Sequence, residues 1–262
     1  MTLPSSVTRG LLLAITAMLG SCLDIREEYW FHGDGGGRAD ITYRISAVAA
    51  RMYGGEAGIR RMIDGFLADT PALTSSRYEV VTEGSRMRVT LHFDFASALD
   101  LEHVASGPSL SHLPAAAASL LGNIRLETRG TTMDFAREIS PEKALPEAVF
   151  LPASQFAGHH LVYIMHLPAA VVESNATSVL DGGRTLVWDM PLEQALKAPF
   201  VTRFKARIPI PWRLVISIAL PLVLVGGLAF RYLRQIRRRR IPCPTAAESH
   251  TTGPAGFPPL SE

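Results

Sequence analysis

The chain has 262 residues and a formal net charge of +2, but the charge is unevenly spread: residues 23–210 hold 18 Lys+Arg against 22 Asp+Glu, while Arg231–Arg240 alone holds six arginines. A mildly acidic, evenly mixed body argues against a nucleic-acid groove. The two cysteines, Cys22 and Cys243, sit near opposite ends of the chain, so the body carries no disulfide framework.

The amino terminus pairs a weak basic region at Arg9 with an apolar run from Gly10 to Gly20. Eleven residues at about 1.5 Å each cover only ~17 Å of a ~30 Å hydrocarbon core, so the run is too short to span and fits an export signal. It ends in Leu19-Gly20-Ser21-Cys22, with Leu three residues before the cysteine and small residues just before it. This is the pattern that lipoprotein signal peptidase needs, since small side chains admit the peptide once the thiol carries its lipid. Residues 1–21 therefore read as a lipoprotein-type signal peptide, and Cys22 as the lipidation site of a palmitate-type lipoprotein.

The exported body, 22–210, opens with DIREEYWF, where Ile25, Tyr29 and Phe31 share one parity and Glu27 and Trp30 break the alternation. GDGGG is a turn and ADITYRISA alternates again, so the unit reads as a β-hairpin. GGEAGIRRMIDGFLADTP places Ile59, Met62, Ile63, Phe66 and Leu67 on one helical face. Met87, Val89, Leu91, Phe93 and Phe95 give the cleanest strand alternation in the chain. ASALDLEHVA predicts a short helix, and GPSLSHLPAAAASLLG is ambiguous between helix and loop. NIRLETRG and TTMDFAREI predict a second hairpin, and SPEKALPEAV reads as helical or irregular. HHLVYIMHLP, RTLVWDMP and FVTRFKARI predict strands, with a helical turn at PLEQALK. Strands outnumber helices, and the expected fold is α+β: a mainly antiparallel sheet with one or two packing helices, followed by a single C-terminal transmembrane helix.

That last helix is expected within 212–232. Leu214–Phe230 is 17 residues without a charge, about 25 Å of helix, flanked by Trp212 and Arg213 before and by Arg231 and Tyr232 after. The arginines that follow orient the segment with the body outside and the C-terminus, 233–262, as a basic and then disordered cytoplasmic tail. The first strand begins about three residues, roughly 10 Å, from Cys22. The last strand runs almost directly into Trp212, so both ends of the body are expected to be tied to one leaflet with the sheet lying against it.

The motifs in the chain carry no catalytic signature. GDGGGR lacks the Lys-Ser/Thr of a phosphate loop and joins two strands, and DGGR at Asp181–Arg184 reads the same way. His159, His160 and His166 are close in sequence, and His32 or His92 could join them across a sheet, but no metal-ligand spacing supports a site. No Gly-x-Ser-x-Gly or Ser-x-x-Lys nucleophile occurs. No catalytic residue, cofactor or metal is expected, and the chain reads as a non-enzyme.

CLDIREEYWFHGDGGGRADITYRI resembles the opening of the LppM-like domain, a family of lipid-modified or membrane-anchored bacterial envelope proteins. VVESNATSVLDGGRTLVWDMPLEQAL is a second similarity, with its Ser-Asn pair, Gly turn and Trp188-bearing strand. The resemblance implies an exported α+β domain with a hydrophobic pocket that handles lipid, and it carries no catalytic residues. Candidate pocket walls are Tyr43, Ile45, Phe66, Leu91, Phe93 and Trp188, for which plain core packing is the competing reading. The expected function is that of a non-enzymatic bacterial envelope lipoprotein. Its membrane-apposed domain would bind lipid or another hydrophobic ligand, and the alternative is a structural or regulatory interaction subunit of a membrane complex. The expected location is the bacterial cell membrane, with the body on the periplasmic or extracytoplasmic side. The expected contacts are membrane lipids, reached through Cys22 and the 214–230 helix, and a lipid ligand or membrane-protein partner, with no nucleic acid.

Overall fold

The computed structural model describes residues 23–146, 148, 151–207, 221, 225–228, 230 and 231. It divides into two units, Met1–Pro211 and Trp212–Glu262. The first unit opens with the expected hairpin. β1 (Asp24–Phe31) pairs antiparallel with β2 (Gly37–Ser46), from Asp24 opposite Arg44 to Phe31 opposite Gly37. The turn closes through His32 N–H to the Gly36 carbonyl at 2.8 Å, and the Asp34 carboxylate accepts from Gly36 N–H at 3.1 Å. Gly37 is required by close approach, because a Cβ there would lie 2.3 Å from the Trp30 carbonyl oxygen.

Helices α1 (Ala47–Met52) and α2 (Gly55–Ala68) follow, then β3 (Leu73–Glu83) and β4 (Arg86–Phe95). α3 (Ala98–Ser106) starts at a capping box in which Ser97 and Asp100 satisfy each other's backbone amides. The ambiguous segment after it resolves into a 3₁₀ turn at Pro108–His112 and α4 (Ala115–Leu121). β5 (Asn123–Arg129) and β6 (Thr132–Ile139) form the second hairpin, followed by the short α5 (Pro141–Ala144). β7 (His160–His166), β8 (Val171–Ser174), β9 (Ser178–Leu180), β10 (Thr185–Pro191), α6 (Leu192–Ala195) and β11 (Phe200–Arg207) complete the unit.

The strands form two sheets where the sequence predicts one. Seven lie in the order β3-β4-β2-β1-β7-β10-β9, and four in the order β5-β6-β11-β8. The larger sheet is mixed, since β1 and β7 pair in parallel from Ile25–Leu161 to Trp30–His166. Its β3-β4-β2 half is covered by α1 and α2, with Ala50, Val80, Met87 and Val89 forming a small core beneath Ile59 and Ile63. The β1-β7-β10 half packs on the smaller sheet: Phe31 meets Phe135 and Phe204 edge-on at 6.5 and 6.3 Å.

The C-terminal part of the expected architecture needs correction. Among the described residues no helix is long and apolar enough to cross a membrane. Of 214–230, only Pro221, Val225–Leu228 and Phe230 are described, as helical positions with Val225, Leu228 and Phe230 exposed. The rest of Leu214–Phe230, an uncharged stretch that carries Pro221 and Gly226-Gly227, lies outside the described residues. The second tether to a leaflet is withdrawn with the spanning helix. The two ends of the described body also lie far apart. Asp24 begins β1, whereas Ala206 and Arg207 line a cleft with Phe31 and His32 at the other end of that strand, about 23 Å away at ~3.3 Å per residue.

One side chain stitches the sheets where β8 passes into β9. The Asn175 amide oxygen accepts from Trp188 Nε1–H at 2.9 Å on the large sheet and from Arg203 N–H at 2.8 Å on the small one. Its Nδ2 donates to the Val201 carbonyl at 2.8 Å. Asn175→Ala leaves the Trp188 indole N–H without its acceptor and is expected to cost about 1–3 kcal/mol in a urea unfolding curve. A loss within error of zero would show that the stitch is incidental.

Candidate functional site

Cys22 lies outside the described residues, as do residues 1–21. The six candidate pocket residues are all placed. Tyr43 and Ile45 on β2 share the covered face with Leu91 and Phe93 on the neighbouring β4, and Phe66 of α2 belongs to the same core. Trp188 stands apart on β10, three strands further across the sheet. All six nevertheless belong to or pack against one main core. None of the six lines either of the two clefts that follow.

The first cleft, of about 190 Å³, has an apolar floor of Leu145, Leu151, Phe156 and Leu196 with Glu142 and Lys197 among its lining residues. The second, of about 140 Å³, is lined by Phe31, Leu126, Met133 and Leu167 with His32 and Arg207. Both fall below the roughly 300–1,000 Å³ of sites that engulf a small molecule.

The histidines disperse onto separate carboxylates. His92 Nδ1 meets Asp40 at 2.6 Å, His160 Nδ1 meets Asp189 at 2.6 Å, and His166 Nε2 meets Glu28 at 2.8 Å. His159, on the opposite parity, meets Asp24 at 3.0 Å. No group of three or more potential ligands that could hold a metal occurs among the described residues. Trp30, an exception to the alternation of β1, is held between its cross-strand neighbours. Arg38 covers one face at 4.3 Å and His166 stacks at 5.1 Å.

The other exception, Glu27, reveals a cluster that the sequence reading missed. Glu27 is 0% exposed and Arg137, on β6 of the smaller sheet, is 1% exposed. They pair fork to fork, Nη1 to Oε2 at 2.6 Å and Nη2 to Oε1 at 3.1 Å. Tyr29 and Tyr43 donate their hydroxyls to the two carboxylate oxygens at 2.7 and 2.8 Å. Of the other donors, Nε bonds the Leu121 carbonyl at 2.8 Å and Nη2 the Leu120 carbonyl at 3.2 Å at the end of α4, and Nη1 reaches the Tyr29 hydroxyl oxygen at 3.5 Å. The Tyr163 ring lies 5.1 Å from the guanidinium carbon. A signal for this cluster was present: Glu27 shares parity with Ile25, Tyr29 and Phe31, and Arg137 shares parity with Phe135 and Ile139. Two opposite charges, each on the apolar parity of its own strand, call for each other.

Burial first, and the Glu27 carboxylate second, hold the Tyr29 and Tyr43 phenols well above their usual 10.0. Tyr163 is raised in the same way. For Arg137 burial opposes the charge, but the Glu27 carboxylate and the surrounding phenols outweigh it, and its pKa rises. With every oxygen and every N–H of the pair engaged inside the protein, and neither cleft lined by its members, the cluster offers a substrate no open position. It acts as a clamp between the sheets.

Arg137→Met leaves Glu27 buried without its counter-ion and is expected to cost about 3–5 kcal/mol of unfolding free energy, part of which returns when Glu27→Leu is added. A loss below about 1 kcal/mol would contradict the clamp. The phenols predict the alkaline limb. Unfolded tyrosines release protons near pH 10 while the folded ones keep theirs, so stability is full below pH 10 and falls as pH rises beyond it. The melting temperature should drop above that pH, and Tyr43→Phe should make the drop shallower than in the parent; equal slopes would contradict the reading.

No family model matches the chain, and no curated protein matches it. Among solved structures it is similar to the NMR structure of the folded domain of the LppM protein of Mycobacterium tuberculosis. The identity is 12% and the TM-score 0.45, covering 73% of this chain and 93% of that one. It also overlaps the Mu homology domain of Fcho1 from Danio rerio with a bound Eps15 peptide, at 13% identity and a TM-score of 0.24, covering 74% and 82%. An LppM folded domain is thus a structural neighbour of this chain, and neither overlap assigns a role to any of its residues.

Proposed function

We propose that this chain is a non-enzymatic bacterial envelope lipoprotein of the LppM-like kind, held on the exported face of the cell membrane through an acylated Cys22. One observation carries the reading. The described core reaches back to the residue after the lipobox cysteine: Leu23 is 4% exposed, and both Leu23 and Ile25 belong to the main core. Cleavage before Cys22 leaves every core residue of the described body in place, and no linker separates the body from the lipid. The two clefts, at about 190 and 140 Å³, are below the volume of an enclosed ligand site, and the lipid in this proposal is the membrane surface. The alternative of an interaction subunit draws on a different feature. The short edge strands β8 and β9 leave Val172, Val179 and Leu180 exposed beside unpaired backbone, which suits pairing with a partner.

Replacing Cys22 removes the thiol that must be lipidated before cleavage. Cys22→Ser is therefore expected to accumulate as an unprocessed precursor, larger than the wild-type mature protein on a gel of cell extracts. A variant that matures to the same size would contradict the lipoprotein assignment.

A further inference from the structure

Met52 is the most exposed large apolar side chain among the described residues, at 73%. It stands on α1 four positions after Val48, so the two share the face opposite the buried Ala47 and Ala50. Val48 and the adjoining Tyr53 are also exposed, at 39% and 43%. The corner that presents them is closely built. Gly54 and Gly55 take positive φ, and a Cβ on Gly58 would sit 1.7 Å from the Tyr53 carbonyl oxygen. Arginines surround the tip. Arg51 and Arg61 are exposed and make no ion pair among the described residues, and the Arg61 guanidinium lies over the Gly54 turn. Glu56, the acidic residue of the α1–α2 corner, is engaged by Arg60 at 2.9 Å.

The position of this tip matters as much as its composition. Asp24 lies opposite Arg44, two residues before β2 ends at Ser46, and Arg86 bridges back to Asp24 at 3.4 Å. Ala47 N–H bonds the Ser85 carbonyl in the β3–β4 turn. α1 therefore leaves the sheet at the end where β1 begins, and Cys22 can be no more than about 7 Å from Asp24 along the chain.

We infer that the α1–α2 corner is a membrane-docking tip: Val48, Met52 and Tyr53 enter the interface of an anionic lipid bilayer while Arg51 and Arg61 meet its headgroups. The inference rests on the lipoprotein reading and adds an orientation to it. An apolar tip flanked by Arg51 and Arg61, neither in an ion pair among the described residues, matches an anionic interface in both charge and layering. A lipid on Cys22 brings that end of the sheet to the surface, and the long axis of β1 then points away from it.

The test uses the full chain, reconstituted into phosphatidylcholine vesicles containing about one-third phosphatidylglycerol. An environment-sensitive fluorophore is placed through Met52→Cys or, at the far end of β1, through Leu99→Cys, both in a Cys243→Ser background. Acyl-chain doxyl lipids should quench the probe at position 52 several times more strongly than at 99. Arg51→Glu with Arg61→Glu should bring quenching at 52 down towards the level at 99. Equal quenching at the two positions in chains that float with the vesicles overturns the docking tip and leaves the lipoprotein reading standing. A crosslink from position 52 to a second chain in the vesicles that survives Arg51→Glu with Arg61→Glu assigns the tip to a protein contact, and also overturns it. Chains that do not float at all overturn both.

Discussion

The Glu27–Arg137 pair is the constraint on which the two-sheet architecture depends. Each charge alone would be costly to bury, and together they are tolerable only because two phenols and two helix-end carbonyls complete their hydrogen bonds. That completeness fixes more than a contact. It sets the register of β6 against β1, places the end of α4 beside both, and leaves Tyr163 of β7 facing the guanidinium. A greasy interface between sheets can slide, whereas a bidentate pair with every donor assigned has one position.

The clamp and the Asn175 stitch divide the work. The clamp lies deep between β1 and β6, and the stitch lies near the edge where β8 leads into β9. Between them they hold a mixed sheet against a small antiparallel one while its other half is covered by helices. Glu27, Arg137 and Asn175 are spent on holding the sheets together, while the Tyr163 hydroxyl and the Thr202 Oγ1 are buried without a hydrogen-bond partner among the described residues. The proposed membrane contact lies on the surface, at the end of the sheet where β1 starts.

Much of this was legible in the sequence. The hairpin around Gly33–Gly37, the amphipathic helix through Phe66 and the alternation from Met87 to Phe95 were all readable, because local periodicity reports which face a segment buries. Periodicity does not report which strand a segment pairs with. The parallel β1–β7 pair and the division into two sheets join residues more than a hundred positions apart, so one sheet was expected. β8 and β9, at four and three residues, are too short to show a period. Trp188 was grouped with Phe66 and Phe93 by its apolar character, although the strand order sets it apart. Glu27 read as a flaw in a strand because its partner, Arg137, lies on another sheet. At the C-terminus, hydropathy alone suggested a spanning helix.

The proposed envelope location rests on one covalent bond, between Cys22 and lipid, with the described core reaching back to the next residue. The most direct measurement is the mass of the N-terminal peptide of the protein isolated from its native membranes. The account predicts a peptide that starts at Cys22 and carries a thioether-linked diacylglycerol. A peptide running through Ser21 into Cys22, or a Cys22 with a free thiol, would contradict it.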